Sequence, residues 1–148
     1  MKYELYRDIE VTDDFNLFDF VSQGKKGAIL KRVAFTPTEW ENVYNLAFGD
    51  VDDENEIDDY SVSDNGDRNK VLATIVYIVD AYTKRFPNRW VIFRGSTAER
   101  TRLYRMAVGL HLEELSAKFE IYGYVEDLLV PFVKNLKINA FLIKRKIA

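Results

Sequence analysis

Alternating hydrophobic and polar positions predict two β-hairpins in the N-terminal part of the chain. The segment FNLFDFVSQGKKGAILKRVAFTPTEW contains two period-two runs joined by residues 24–27. In the second run Ile29, Val33 and Phe35 share one face, and Lys31 is the charged residue that interrupts it. The segment NVYNLAFGDVDDENEIDDYSV predicts a second hairpin with its acidic residues at the tip.

A helical period follows in the segment RNKVLATIVYIVDAYTKRF. Its apolar residues fall within about 160° of a helical wheel, which predicts an amphipathic helix. The residues of this stripe are Val71, Leu72, Ile75, Val76, Ile78, Val79, Tyr82 and Phe86. Asp64 or Asp67 is suited to cap its start, and Pro87 stops it. The next segment, RWVIF, is apolar on both faces and predicts a central strand.

A second helix is predicted from residue 97 to about residue 117. Ser96 and Glu99 fit a capping box, in which each side chain accepts a hydrogen bond from the other residue's amide. Its predicted buried stripe is Leu103, Met106, Ala107 and Leu110. The segment FEIYGYVEDLLVPFVKNLKINAFLIKRKIA then predicts two more strands.

These elements predict an α+β fold in a single domain, residues 1–148. The predicted order is β-β-β-β-α-β-α-β-β, with one further N-terminal strand left open. We expect a mostly antiparallel sheet with both amphipathic helices packed on one face.

Composition excludes several classes of protein. With 47% hydrophobic and 30% charged residues, the chain of 148 residues has the composition of a folded domain. It has no cysteine, which rules out disulfides, thiol catalysis and cysteine zinc sites. Because the segment MKYELYRDIEV has no apolar core and no apolar run approaches about 18 residues, we expect neither a signal peptide nor membrane association. A cytoplasmic protein is expected.

The charges are distributed unevenly along the chain. Residues 50–67 contain seven Asp and two Glu without Lys or Arg, so they carry −9, and the net charge of −3 leaves +6 for the rest. Such asymmetry can orient a partner or pair subunits, so a homo-oligomer stays open, as do simple solvated edges.

The junction FRGSTAERTRLYRM is the predicted ligand site. Arg94 ends the central strand and Arg100 follows the start of the second helix, so both can converge near its free amides. That arrangement suits a phosphate or carboxylate, with Ser96, Thr97 and Arg102 as further contacts. The alternative is structural, because Glu99 and the acidic hairpin can neutralise these arginines. The segment matches neither a P-loop nor a dinucleotide fingerprint.

Two other functions stay open. The acidic cluster Asp50–Asp67 could hold Mg²⁺ in a metal-dependent phosphodiesterase-like enzyme, although it lacks the glycine and glutamate of an EF-hand. Lys25, Lys26 and the C-terminal basic and aromatic residues could bind single-stranded nucleic acid, which the pI near 5.3 disfavours. His111, the only histidine, cannot form a two-histidine metal site. No cofactor, metal site or catalytic residue is predicted.

Four segments carry a resemblance to a known family. YNLAFGD, NGDRNKVLATI, FRGSTAERTRLYRM and FEIYGY, in this order and spacing, are similar to a family of short bacterial proteins known as a domain of unknown function. The similarity runs from about Phe15 to Lys146. It implies a small, free-standing bacterial cytoplasmic domain and supplies no activity, cofactor or catalytic residue. We therefore predict a non-enzymatic binding or regulatory module that recognises an anionic group or a protein partner.

Overall fold

The computed structural model of the protein describes residues 4–58, 64–95, 97–125, 128–132 and 140–147. Three helices and nine strands are found in these ranges. The strands are β1 (Glu10–Val11), β2 (Leu17–Gly24), β3 (Gly27–Pro37), β4 (Val43–Val51), β5 (Ile57–Asp58), β6 (Trp90–Phe93), β7 (Phe119–Val125), β8 (Leu128–Pro131) and β9 (Ala140–Arg145). The helices are α1 (Arg68–Arg85), α2 (Ala98–Leu110) and α3 (Leu112–Lys118).

The nine strands form one mostly antiparallel sheet in the order β1-β2-β3-β4-β6-β9-β7-β8, with β5 paired to β4. The first predicted hairpin is present: Gly24 pairs with Gly27, so Lys25 and Lys26 form a two-residue turn. Among the described strands the one parallel pair is β4 with β6, and α1 lies in the connection between them. The fold is therefore α+β, as the sequence predicted.

The core lies between the sheet and the helices. Alternate side chains of five strands are buried in it, as period-two patterning requires. They are Phe18, Phe20, Val33, Phe35, Leu46, Phe48, Val91, Phe93, Phe141 and Ile143. The buried stripe of α1 packs against them, and the ring of Tyr82 stacks on Phe35 with 3.7 Å between centroids. Burying an aliphatic or aromatic side chain of this size stabilises the fold by about 1.5–3 kcal/mol.

Asp80 connects α1 to the other end of the chain. Its carboxylate accepts a hydrogen bond from the Arg145 guanidinium of β9 and lies 3.3 Å from the Lys118 ammonium at the end of α3. Burial raises the pKa of Asp80, but Arg145, Lys118 and the nearby Lys84 together hold that pKa below its usual value. The pairing therefore fixes α1 against β9 and α3 by charge as well as by packing.

The predicted order of elements is wrong in detail. Instead of one helix over residues 97–117 there are two, because the backbone at His111 leaves helical geometry (φ −111°, ψ 19°). Strand β8 was not predicted, and β1 is the N-terminal strand that was left open. None of the helices in the described ranges is long and apolar enough to cross a membrane.

The buried face of α2 also differs from the predicted one. Tyr104 and Val108 are buried beside Ala107, whereas Leu110 is 41% exposed. The ring of Tyr104 packs edge-on against Phe93 at 5.5 Å, so this aromatic residue, and not Leu103, faces the sheet. Leu103 and Met106 are consequently only half-buried at the margin of the core. The observed buried face of α2 is thus rotated by about 100° around the helix axis from the predicted one, which is the rotation between successive helical residues.

Candidate functional site

A groove of about 890 Å³ lies between the start of α1 and one face of α2. Lys31, Phe48 and Asp50 of the sheet contribute to its lining. Residues 64–72 line it from α1 and the segment before it, and residues between Glu99 and Met106 line it from α2. Parts of the segments NGDRNKVLATI and FRGSTAERTRLYRM, far apart in sequence, therefore meet across one cavity.

Buried charge marks the sheet side of the groove. Lys31 is 5% exposed and its ammonium lies 2.7 Å from the Asp50 carboxylate directly across the β3–β4 ladder. Arg100 of α2 is 6% exposed, and its guanidinium lies 5.4 Å from the centre of the Phe48 ring. The Lys31 ammonium is 5.9 Å from the same ring, so Phe48 contacts two cations. Charged side chains are rarely buried so deeply unless they are paired.

The start of α1 forms one wall of the groove. Asp67 occupies the N-cap position of this helix, but its side chain accepts no hydrogen bond from the helix amides. The Asp67 carboxylate accepts instead from the hydroxyls of Tyr6 and Ser22. Burial, followed by this hydrogen bond to Asp67, raises the pKa of Tyr6. The first-turn amides at residues 68–70 cannot bond within the helix, as in any α-helix, and they give this wall a partial positive charge.

Asn65 holds this wall in position against the β2–β3 hairpin. Its side-chain amide donates to Ser22 Oγ (3.0 Å) and to the Gly27 carbonyl (2.9 Å). Its side-chain oxygen accepts from the Lys26 amide, and its backbone carbonyl accepts from the Lys25 amide. Asn65 is 2% exposed, so these contacts satisfy its buried polar groups and connect the approach to α1 with the β2–β3 hairpin.

The start of α2 is capped by Thr97, whose hydroxyl oxygen accepts from the Arg100 amide at 3.1 Å. The predicted cap was Ser96, which lies outside the described residues, so the predicted helix start is corrected by one position. Gly95 packs directly on this turn: a Cβ there would lie 2.2 Å from the Thr101 nitrogen. Only glycine at this position lets the strand end approach the helix so closely.

Three of the four acidic side chains that line the groove have partners of their own, and the fourth, Glu99, is exposed at the start of α2. Asp50 is paired with Lys31, and Asp67 accepts from Tyr6 and Ser22. The exposed Asp64 lies 3.7 Å from the Lys25 ammonium, and the Gly66 amide and Lys25 lower its pKa. Arg68 and Arg102 are both exposed at the groove, and neither forms an ion pair with a residue of the described ranges. The groove thus offers guanidinium groups beside three partnered acids and the exposed Glu99.

Only some of the predicted site residues lie at the groove. Arg100 and Arg102 line the groove, and Thr97 caps α2 beside it. Arg94 is exposed and is not part of the groove lining. Ser96 lies outside the part of the chain that the structure describes.

Sequence reasoning missed Lys31, Asp50 and Arg68 as parts of this site. Lys31 carried a usable signal, because a lysine on the apolar face of a strand must find a buried partner. Arg68 had no comparable signal, since a basic residue before an apolar helix is ordinary.

The acidic segment and the C-terminal basic residues are the other two candidate sites. In the described ranges, no group of three or more His, Asp or Glu side chains could hold a metal ion. The Asp52 carboxylate accepts from the amides of Glu54 and Glu56 in the β4–β5 turn. Among the C-terminal basic residues, Arg145 is bound to Asp80 and Lys146 donates to the Ser116 carbonyl. Lys134 and Lys137 lie outside the described residues.

Comparison with known proteins gives a family and no activity. No curated protein matches the sequence, and no solved structure matches the fold. One family model matches residues 2–146, nearly the whole chain, and its description is a family of unknown function, DUF6934. The chain therefore belongs to DUF6934, which confirms the resemblance to a domain of unknown function.

Proposed function

We propose that the protein is a binding module that recognises an anionic group in the groove between α1 and α2. The observation that carries the proposal is the pair of exposed arginines, Arg68 and Arg102, on opposite walls of one groove without an ion pair in the described ranges. Arginine forks match phosphate and carboxylate oxygens in a bidentate geometry.

Electrostatics supports the same ligand. The groove lining contains five cationic side chains, including Lys31 and Arg100, and four acidic ones, so it is slightly positive in a protein of net charge −3. The first-turn amides of α1 add a partial positive charge to the wall that carries Arg68.

The cellular role that fits this chemistry is that of a cytoplasmic regulatory or ligand-sensing domain of a bacterium. The resemblance to short bacterial proteins supports it. A protein partner, single-stranded nucleic acid and a homo-oligomer stay predictions, as does Mg²⁺-dependent phosphodiester chemistry at the acidic segment.

Calorimetric titration with inorganic phosphate at low ionic strength tests the proposal. Replacing Arg68 and Arg102 together by alanine removes two charge-assisted contacts, and each is expected to cost about tenfold or more in affinity. Because both side chains are exposed, the melting temperature should stay within about 2 °C of the wild type. Arg105→Ala is the matched control, because Arg105 is on the same helix outside the groove lining.

The variant Arg94→Ala distinguishes the groove from the predicted site at the strand end. A loss of phosphate binding in Arg94→Ala, with Arg68→Ala/Arg102→Ala unaffected, would move the ligand to the junction of β6 and α2. Wild-type protein that shows no heat of binding for phosphate or sulfate would remove the proposal altogether.

A further inference from the structure

The size of the groove indicates more than a bare anion. Ligand sites for small organic molecules occupy about 300–1,000 Å³, and the groove, at about 890 Å³, lies in that range. A single inorganic phosphate would fill only a small part of it. The groove therefore has room for a larger, organic part of a ligand.

Part of that lining is apolar and lies at the margin of the core. Leu103 and Met106 line the groove and are half-buried, while Tyr104, Ala107 and Val108 supply the core-facing side of α2. Half-exposed apolar side chains inside a groove favour an apolar guest over water. Methionine in particular adapts its unbranched side chain to aromatic and aliphatic surfaces.

The polar and apolar parts of this wall follow one another along α2. Arg102 and Met106 are four residues apart, which corresponds to about 6 Å along a helix axis at 1.5 Å per residue. They lie on the same side of the helix, because residues at i and i+4 are neighbours. A ligand with a charged group and an apolar body within about 6–10 Å of each other matches this spacing.

We infer that the groove binds an organic phosphate monoester, with its phosphate between Arg68 and Arg102 and its apolar body on Leu103 and Met106. This inference rests on the proposed function. Two guanidinium groups and a helix start offer more donors than one carboxylate accepts, so the dianionic phosphate is the better guest. A nucleotide and an alkyl phosphate share this chemistry.

The experiment compares five probes by calorimetry: inorganic phosphate, adenosine monophosphate, octyl phosphate, octanoate and adenosine. At least one ester should bind about tenfold tighter than inorganic phosphate, and adenosine should bind far more weakly than its monophosphate. The ester that binds tighter identifies whether the body is a nucleoside or an alkyl chain. Octanoate binding as tightly as octyl phosphate would contradict the choice of phosphate.

Two variants separate this inference from the proposed function. Met106→Gln should lower the affinity for the ester to about that for inorganic phosphate and leave phosphate binding unchanged. Leu110→Gln, on the exposed side of α2, is the matched control and should change neither. Equal affinities for phosphate and both esters, or a Met106→Gln protein that binds esters like the wild type, would overturn the inference and leave the anion site intact. Absence of binding for every anion would overturn both.

Discussion

Lys31 shows how one residue connects the sequence pattern to the site. It stands on the face of β3 that also carries Val33 and Phe35, so its backbone position forces it toward the core. The cost of burying its charge is offset by Asp50, which the β3–β4 register places directly opposite. An irregularity in the apolar alternation thus becomes the buried charge pair at the base of the groove.

His111 is a second residue whose environment in the folded protein differs from that in the unfolded chain. It is 4% exposed at the break between α2 and α3, and burial lowers its pKa despite the Glu114 carboxylate 3.9 Å away. The unfolded chain binds a proton near the ordinary pKa of about 6.5, whereas the folded chain resists protonation. Acidification below that value therefore favours the unfolded state.

We predict that the free energy of unfolding falls as the pH decreases from 7 to 5.5, by about 1 kcal/mol per pH unit at most. Urea denaturation at each pH measures this, above the range where most carboxylates titrate. The variant His111→Gln should remove the slope, whatever its own stability. A slope that is identical in both proteins would show that His111 is not its source.

At the scale of elements, the two glycines of the α2 region should respond oppositely to the same substitution. A Cβ at Gly95 would lie 2.2 Å from the Thr101 nitrogen and 2.5 Å from the Arg100 carbonyl carbon, so strand end and helix start must separate. A Cβ at Gly109 meets nothing within 4 Å. We expect Gly95→Ala to destabilise by about 2 kcal/mol or more, and Gly109→Ala to stabilise by about 0.5–1 kcal/mol.

Thermal unfolding of the two variants tests this prediction. Gly95→Ala should also weaken phosphate binding, because Arg100 and Arg102 move with the start of α2. A Gly95→Ala protein as stable as the wild type would contradict the close packing of Gly95 on the first turn of α2. Gly109→Ala is the control, because it should raise the stability without changing phosphate binding.

The sequence predicted elements better than it predicted their faces. The hairpin around residues 24–27 and helix α1 were correct because their periodicity is local and uninterrupted. In α2, Tyr104 is buried and Leu110 is exposed, because packing against Phe93 outweighs the simple count of aliphatic residues. The break at His111 has no strong local signal, since neither proline nor a capping residue marks it.

At the scale of the whole molecule, the site combines segments that are far apart in sequence. The β3–β4 ladder contributes Lys31 and Asp50, the start of α1 contributes Arg68, and α2 contributes Arg100 and Arg102. Sequence analysis could place the α2 arginines beside a helix start, because that geometry is local. It could not place Arg68 opposite them, because the parallel pairing of β4 with β6 and the position of α1 are non-local.

The most direct test of the groove is to map the bound anion residue by residue. Inorganic phosphate is titrated into ¹⁵N-labelled protein at low ionic strength, and backbone amide shifts are followed by NMR. Saturable shifts are expected mainly at residues 68–70 and 99–106, on both walls of the groove. Amides that stay still there, or that move mainly around Lys25, Lys26 and the C-terminal basic residues, would contradict binding in the groove.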